Sequence, residues 1–156
     1  MFALSESIDG VVVRSLSKHE DERGWLCELY RSDEWDHQVG MCYVSWTLPG
    51  KARGPHEHVY QSDCFAFVGP GGFRLYLWDA REESKTYLQR MCLDVGEKDP
   101  VVVLVPPRVV HAYKCISEEK GLVMNLPDKL YAGVRRKQEV DEIRHEDRQE
   151  ARFLLD

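Results

Sequence analysis

Apolar residues in this chain come in short runs separated by turn residues, not at the 3.6-residue spacing of amphipathic helices. The runs are Val11–Arg14, Trp25–Tyr30, Met41–Leu48, Asp63–Val68, Phe73–Trp78, Tyr87–Leu93, Val101–Val105, His111–Ile116 and Leu122–Leu126. They are rich in Val, Tyr, Phe, Trp and Cys, side chains that suit a pleated, half-buried surface. The breaks carry turn chemistry: Pro49-Gly50, Gly69-Pro70-Gly71-Gly72, Gly96 to Pro100, Pro106-Pro107 and Glu118 to Gly121. Strands at such regular spacing, with no helical periods between them, predict an all-β sandwich or barrel. Gly69-Pro70-Gly71-Gly72, set between two good strands, predicts a hairpin.

After Gly133 the pattern changes. Val134 to Arg152 is dense in charge, with Val140, Ile143, Phe153 and Leu154 as sparse apolar positions. This predicts a helix or an irregular strap packed on the barrel. With no repeat, linker or low-complexity segment, residues 1–156 read as one β domain with a polar tail.

Composition narrows the partners. A chain of 156 residues, 43% hydrophobic and 31% charged, suits a globular domain that buries about two-thirds of its unfolded surface. The net charge of −6 argues against nucleic acid or an anionic membrane as partner, while leaving room for a local basic pocket. No apolar run approaches the roughly 20 residues of a membrane span, and the acidic start (Glu6, Asp9) lacks a signal-peptide layout, so a cytoplasmic location is expected. The five cysteines, Cys27, Cys42, Cys64, Cys92 and Cys115, form no Cys-x-x-Cys pair and read as structural thiols in a reducing compartment.

Two polar segments interrupt the apolar pattern: Arg53-Gly54-Pro55-His56-Glu57-His58 and Val105-Pro106-Pro107-Arg108-Val109-Val110-His111. On a strand, positions i and i+2 share a face, so His56 and His58 can point into one pocket. His111, with Asp63 or Gln61, completes the ingredients of a mononuclear metal site, a layout that resembles the metal-binding cupins. The alternative is that these histidines serve as acid/base or hydrogen-bonding groups without metal. Arg53 precedes the pair, and Arg23 lies in His19-Glu20-Asp21-Glu22-Arg23-Gly24-Trp25. Arginine holds phosphate in a bidentate fork, so an arginine beside a histidine pocket suits a phosphorylated substrate.

Further segments extend the pattern: Gly10 to Val13, Asp21 to Glu28, Pro49-Gly50, Gln61-Ser62-Asp63, Leu77 to Arg81 with Ser84-Lys85-Thr86, Val105-Pro106-Pro107, and His111-Ala112-Tyr113. In order and spacing, from about residue 9 to about residue 133, the chain resembles the dTDP-4-dehydrorhamnose 3,5-epimerases and related nucleotide-sugar cupins. The resemblance implies a double-stranded β-helix (a cupin jelly roll), a homodimer, no cofactor, and a nucleotide-diphospho-4-keto-6-deoxy sugar as substrate. It implies His56 as the base that removes a proton next to the 4-keto group. Arg53 and Arg23 would hold the pyrophosphate or nucleotide, with Glu28 nearby and Arg23 reaching a neighbouring subunit's site. Asp79 would be an acid deep in the pocket. His58, Gln61, His111 and Tyr131 complete the expected substrate-binding set.

The chain also departs from the family pattern. Asn125 stands where the family's general-acid tyrosine is expected, and Tyr131 matches a later, non-catalytic tyrosine. An amide supplies no proton at neutral pH, though it can hydrogen-bond an enolate oxygen. Asp63 replaces a basic residue, and the family's aspartate partner of the base lies in a C-terminal segment with no match here. The His-x-His and Gln-x-Asp pattern looks like a short group of polysaccharide-pathway relatives. Tyr113 and Tyr131 are phenols that could replace the missing acid, but each reads first as a packed tyrosine with a satisfied hydroxyl. Trp25, Trp46 and Trp78 read as core or interface, and His37, His145 and Arg135-Arg136-Lys137 as solvated surface.

Overall fold

The computed structural model describes residues 1–4, 6–148 and 152–156. In chain order the described strands are β1 (Ala3–Leu4), β2 (Val12–Ser15), β3 (Lys18–Asp21), β4 (Gly24–Cys27), β5 (Tyr43–Thr47), β6 (Ala52–Glu57) and β7 (Asp63–Phe67). They continue as β8 (Gly72–Asp79), β9 (Gln89–Gly96), β10 (Val101–Val105), β11 (Val109–Cys115), β12 (Gly121–Asn125) and β13 (Ile143–Arg144), with one 3-10 turn at Val134–Arg136.

Six strands form one sheet in the order β1-β9-β8-β11-β6-β13, and five form the facing sheet in the order β2-β10-β7-β12-β5. β3 and β4 make a separate hairpin. From β9 to β12 the chain changes sheet at each connection, which is the jelly-roll arrangement of an all-β cupin barrel. Period-two alternation fills the space between the sheets. Phe65, Phe67, Val103 and Val123 from one sheet meet Phe73, Leu75, Leu77 and Tyr113 from the other. The outward residues are covered separately. Phe153 of the C-terminal segment packs on Tyr76, Trp78, Val110 and Ala112, while Leu16, Leu29 and Trp35 cover Cys64, Ala66 and Val102.

All nine apolar runs contain a strand, but two other expectations change. Gly69-Pro70-Gly71-Gly72 is not a hairpin turn. β7 is already paired on both edges, to β10 and β12, so the turn carries the chain across to the other sheet, where β8 pairs with β9 and β11. The charged tail is the strap, not a helix: beyond the 3-10 turn its regular element is β13, which pairs with the edge of β6. The stretch 149–151 of that reading lies outside the described residues.

One irregularity positions the candidate chemistry. On β11, His111 and Tyr113 are two residues apart and share a face, yet their partners on β6, His56 and Arg53, are three apart. The extra residue is a β-bulge at Gly54-Pro55, and it turns Arg53 and His56 to the same side of the sheet, which a regular strand would not do. Gly54 suits this place. Its φ is +83°, and a Cβ there would stand 2.5 Å from the carbonyl oxygen of His111. Gly54→Ala should therefore lower unfolding stability by about 1–3 kcal/mol. Chemical denaturation should show a smaller loss for Gly50→Ala, which has a similar φ of +73° but meets nothing within 4 Å.

Candidate active site

Between the sheets, at the end where β5, β6, β11 and β12 converge, lies a cavity of about 1410 Å³. Its walls include Tyr43, Ser45, Arg53, His56, His58, Gln61, Tyr113 and Tyr131, with part of the C-terminal strap closing one side. On β5 the usual alternation is inverted: Tyr43, Ser45 and Thr47 share the cavity-side face, with Tyr43 still 44% exposed, whereas the apolar Val44 and Trp46 take the outer face. An apolar core would reject that polar face, and a solvated cavity accepts it.

Asp63 organises the site. It begins β7 on the same face as Phe65 and is 1% exposed. One carboxylate oxygen, Oδ1, accepts from Gln61 Nε2 at 2.9 Å and from Asn125 Nδ2 at 2.8 Å. The other, Oδ2, faces His58 Nε2 at 3.0 Å and His111 Nε2 at 3.2 Å, both within ion-pair distance but poorly aligned for hydrogen bonds. His111 Nδ1 meets the Val109 carbonyl at 3.0 Å, and His58 Nδ1 meets the Asp141 carbonyl. The Asp141 carboxylate accepts from the backbone N–H groups of Val59, Tyr60 and Gln61, fastening the strap to the loop between β6 and β7.

These contacts give neighbouring groups opposite charge states. Burial alone would raise Asp63, but His111 and His58 outweigh it and hold the carboxyl well below its ordinary range. Burial would likewise lower His58, yet Asp63 dominates and lifts it to about 9. His56, 4.5 Å from the ring of His111 and 5.7 Å from that of His58, is depressed to about 2 by burial and then by those two neighbours. At neutral pH the site thus holds a neutral His56 beside a protonated His58 and an ionised Asp63.

The other expected site residues are distributed as follows. Arg53 lines the cavity, with Nε donating to Thr47 Oγ1 and Nη2 to the Trp46 carbonyl. Tyr131 lines it too, half exposed. Asn125 is buried with its amide fully used: Oδ1 accepts from Cys64 N at 3.0 Å, and Nδ2 donates to Asp63 Oδ1 and to Tyr43 Oη. It has no donor left for an enolate. Asp79 does not line the cavity. Its carboxylate is engaged by Arg81, Ser84 and Thr86, where it anchors the loop between β8 and β9. Arg23 sits at the tip of the β3–β4 hairpin, highly exposed and paired with Asp21. Glu28 belongs to a smaller cavity with Arg31 and Trp35.

Two histidines read as surface are not. His37 is buried, its Nε2 2.8 Å from the Leu126 carbonyl, and His145 meets Glu57 at 2.8 Å over the ring of Phe153. Trp78 is core, whereas Trp25 and Trp46 are exposed beneath Lys18 and Lys120. Tyr43 and Asp141 were not singled out from sequence. The inverted alternation of Tyr43-Val44-Ser45-Trp46-Thr47 was a visible sign of the first, while nothing local marks the second among the many acids of the tail.

The charge pattern has a measurable consequence. A histidine raised in the fold stabilises fully below its ordinary value of 6.5, and that contribution is lost as pH climbs through about 9. The melting temperature should fall across that window, and Asp63→Asn should remove this part of the fall in a pH series of thermal melts.

Comparison with known proteins gives a consistent assignment. The family model for dTDP-4-dehydrorhamnose 3,5-epimerase matches residues 5–149. The chain is 38% identical over 113 residues to the spore coat polysaccharide biosynthesis protein SpsL of Bacillus subtilis, covering 71% of this chain and 74% of that protein. It is 35% identical over 128 residues to the probable low-salt glycan biosynthesis epimerase Agl13 of Haloferax volcanii, covering 80% and 81%. Its fold superimposes on the dTDP sugar isomerase of Desulfovibrio desulfuricans with a TM-score of 0.81 at 23% identity, over 92% of this chain and 87% of that one. It also superimposes on the 3'-monoepimerase ChmJ of Streptomyces bikiniensis, in complex with dTDP-quinovose, with a TM-score of 0.75 at 20% identity, over 88% and 70%. The neutral histidine and the arginine that share one cavity wall thus lie in a jelly roll whose sequence matches one family along most of its length, and the chain belongs to the dTDP-4-dehydrorhamnose 3,5-epimerase family.

Proposed function

We propose that this protein inverts a carbon next to the 4-keto group of a dTDP-4-keto-6-deoxy sugar in surface-polysaccharide or deoxysugar biosynthesis, with His56 as the base. The observation that carries this is a neutral His56 on the wall of a large cavity, turned by the bulge to the same side as Arg53. A neutral imidazole can take a proton, and its low affinity belongs to the free site. The diphosphate and the developing enolate bring negative charge beside His56 and raise that affinity when substrate is bound. Protonated His58 lies close enough to stabilise the enolate electrostatically. Arg53 Nη1 has no partner among the described residues and suits the diphosphate. A cavity of 1410 Å³ exceeds the roughly 300–1,000 Å³ of common small-molecule sites and suits an extended nucleotide sugar.

The reading extends to assembly and location. Arg23, exposed on its hairpin and not among the residues lining its own cavity, suits a homodimer in which it serves the partner's site. The exposed Val44 and Trp46 on β5, with Leu48 just after it, offer apolar surface for such a contact. No described helix is long and apolar enough to cross a membrane. A cytoplasmic enzyme drawing on a soluble nucleotide sugar fits these features.

A second reading has its own observation. His56, His58 and His111 place ligand atoms within 4.8 Å of one another, and the buried Asp63 Oδ2 and His111 Nε2 lack aligned hydrogen-bond partners. These residues fit a divalent transition metal, held by the three imidazoles with Asp63, which would act as a Lewis acid on a carbonyl oxygen.

Two experiments separate the readings. In D2O the enzyme should wash deuterium into dTDP-4-keto-6-deoxyglucose, and His56→Ala should slow that exchange by about 10²–10⁴-fold. Exchange unchanged in His56→Ala, or absent with every such sugar, would sink the epimerase reading. Metal analysis of the purified protein should find no stoichiometric ion; one that is present and lost in His58→Ala would establish the metal reading in its place.

A further inference from the structure

Inversion at carbon needs a proton taken from one face and another delivered to the opposite face. His56 stands on β6, in the six-stranded sheet, so a donor on the facing five-stranded sheet would suit the opposite face of the carbon. Four phenols line the cavity: Tyr43, Tyr60, Tyr113 and Tyr131. Tyr113 belongs to β11, in the same sheet as His56, and its hydroxyl is engaged with Ser45 Oγ at 3.0 Å. Tyr60 lies on the connection between β6 and β7 and Tyr131 beyond β12, 74% and 54% exposed against 44% for Tyr43. Tyr43 alone of the four stands on a strand of the facing sheet, directly across the ladder from Asn125.

The hydrogen bond between these two residues decides the chemistry. Cys64 N–H donates to Asn125 Oδ1, which orients the amide and makes Nδ2 the donor toward Tyr43 Oη at 3.0 Å. The Tyr43 oxygen therefore accepts, and its own proton is given to no other described residue. We infer that Tyr43 is the proton donor of this enzyme, with Asn125 holding its oxygen and the phenol delivering its proton to the carbon face opposite His56. The inference rests on the epimerase reading above. It also accounts for the residue that departs from the family pattern: the amide at 125 supports a phenol supplied by the neighbouring strand.

The proton balance closes. His56 takes the carbon-bound proton, and the electron pair moves into the enolate with the 4-keto oxygen. The enolate carbon then takes the proton of Tyr43, restoring the ketone with inverted configuration and leaving a phenolate. Asn125 Nδ2–H stabilises that phenolate until water returns its proton, and imidazolium His56 releases its own proton to water. The substrate is isomerised with no oxidant, reductant or net proton consumed. Burial lifts the Tyr43 hydroxyl to about 12, which keeps it loaded between turnovers.

The test follows configuration and isotope together in dTDP-4-keto-6-deoxyglucose dissolved in D2O. Tyr43→Phe should lose inversion by at least about 100-fold. It should still wash in deuterium with retained configuration, because His56 returns the exchanged proton to the face it came from. Wild-type inversion in Tyr43→Phe, or loss of inversion in Tyr113→Phe with Tyr43→Phe unaffected, would overturn the assignment. If Tyr43→Phe fails to fold, 3-fluorotyrosine at position 43 keeps the shape and acidifies the phenol. The alkaline limb of the inversion rate should then move to lower pH, and an unmoved limb would overturn the assignment. A wild-type protein that neither exchanges nor inverts would overturn the epimerase reading and this inference together, whereas an active wild type with an unaffected Tyr43→Phe overturns the inference alone.

Discussion

A carboxylate buried between two β-sheets must have its lone pairs compensated, since an unpaired buried charge costs several kcal/mol or more. Asp63 meets this demand with Gln61 and Asn125 on one oxygen and His58 and His111 facing the other. Those partners come from β11, β12 and the loop after β6, so one side chain ties both sheets and the strap's anchorage into a single arrangement. Remove its charge, and the orientation of His58, the amide of Asn125 and the support of Tyr43 all lose their common reference.

The same carboxylate sorts the histidines. His58 and His111 lie against it, and His58 is held protonated, while His56, one ring further out, meets burial and the neighbouring imidazoles and stays neutral. Two imidazoles within 6 Å thus become a neutral ring and a cation without any difference in residue type. The tail contributes from outside. Asp141 closes three backbone donors of the loop bearing Gln61, so a charged segment that looks like solvated surface sets one wall of the cavity.

Legibility varied with how local the determining physics is. Short apolar runs became strands because period two and β-branched or aromatic composition act within a few residues. β6 was harder, since Arg53-Gly54-Pro55-His56 lacks a strand's apolar pattern and owes its extended form to pairing with β11. The Gly69–Gly72 turn looked like a hairpin because turn residues report a reversal and not which sheet receives the next strand. Asp79 looked like a pocket acid until its neighbours Arg81, Ser84 and Thr86 folded back onto it. His37 and His145 sit in polar stretches, yet each is held by a partner more than 80 residues away in the chain.

The sequence by itself determined the all-β class, the positions of the strands rich in apolar residues, the family and the grouping of His56, His58 and His111. Each is written in residue type and spacing. Only the tertiary structure decided how those groups are used. The bulge turned Arg53 to the side of His56, Asp63 made neighbouring histidines differ in charge, and saturation of Asn125 left Tyr43, on the facing sheet, with a proton that no described residue accepts. These outcomes depend on burial and on contacts between residues far apart in the chain, where distance and desolvation, and not local pattern, set the energy.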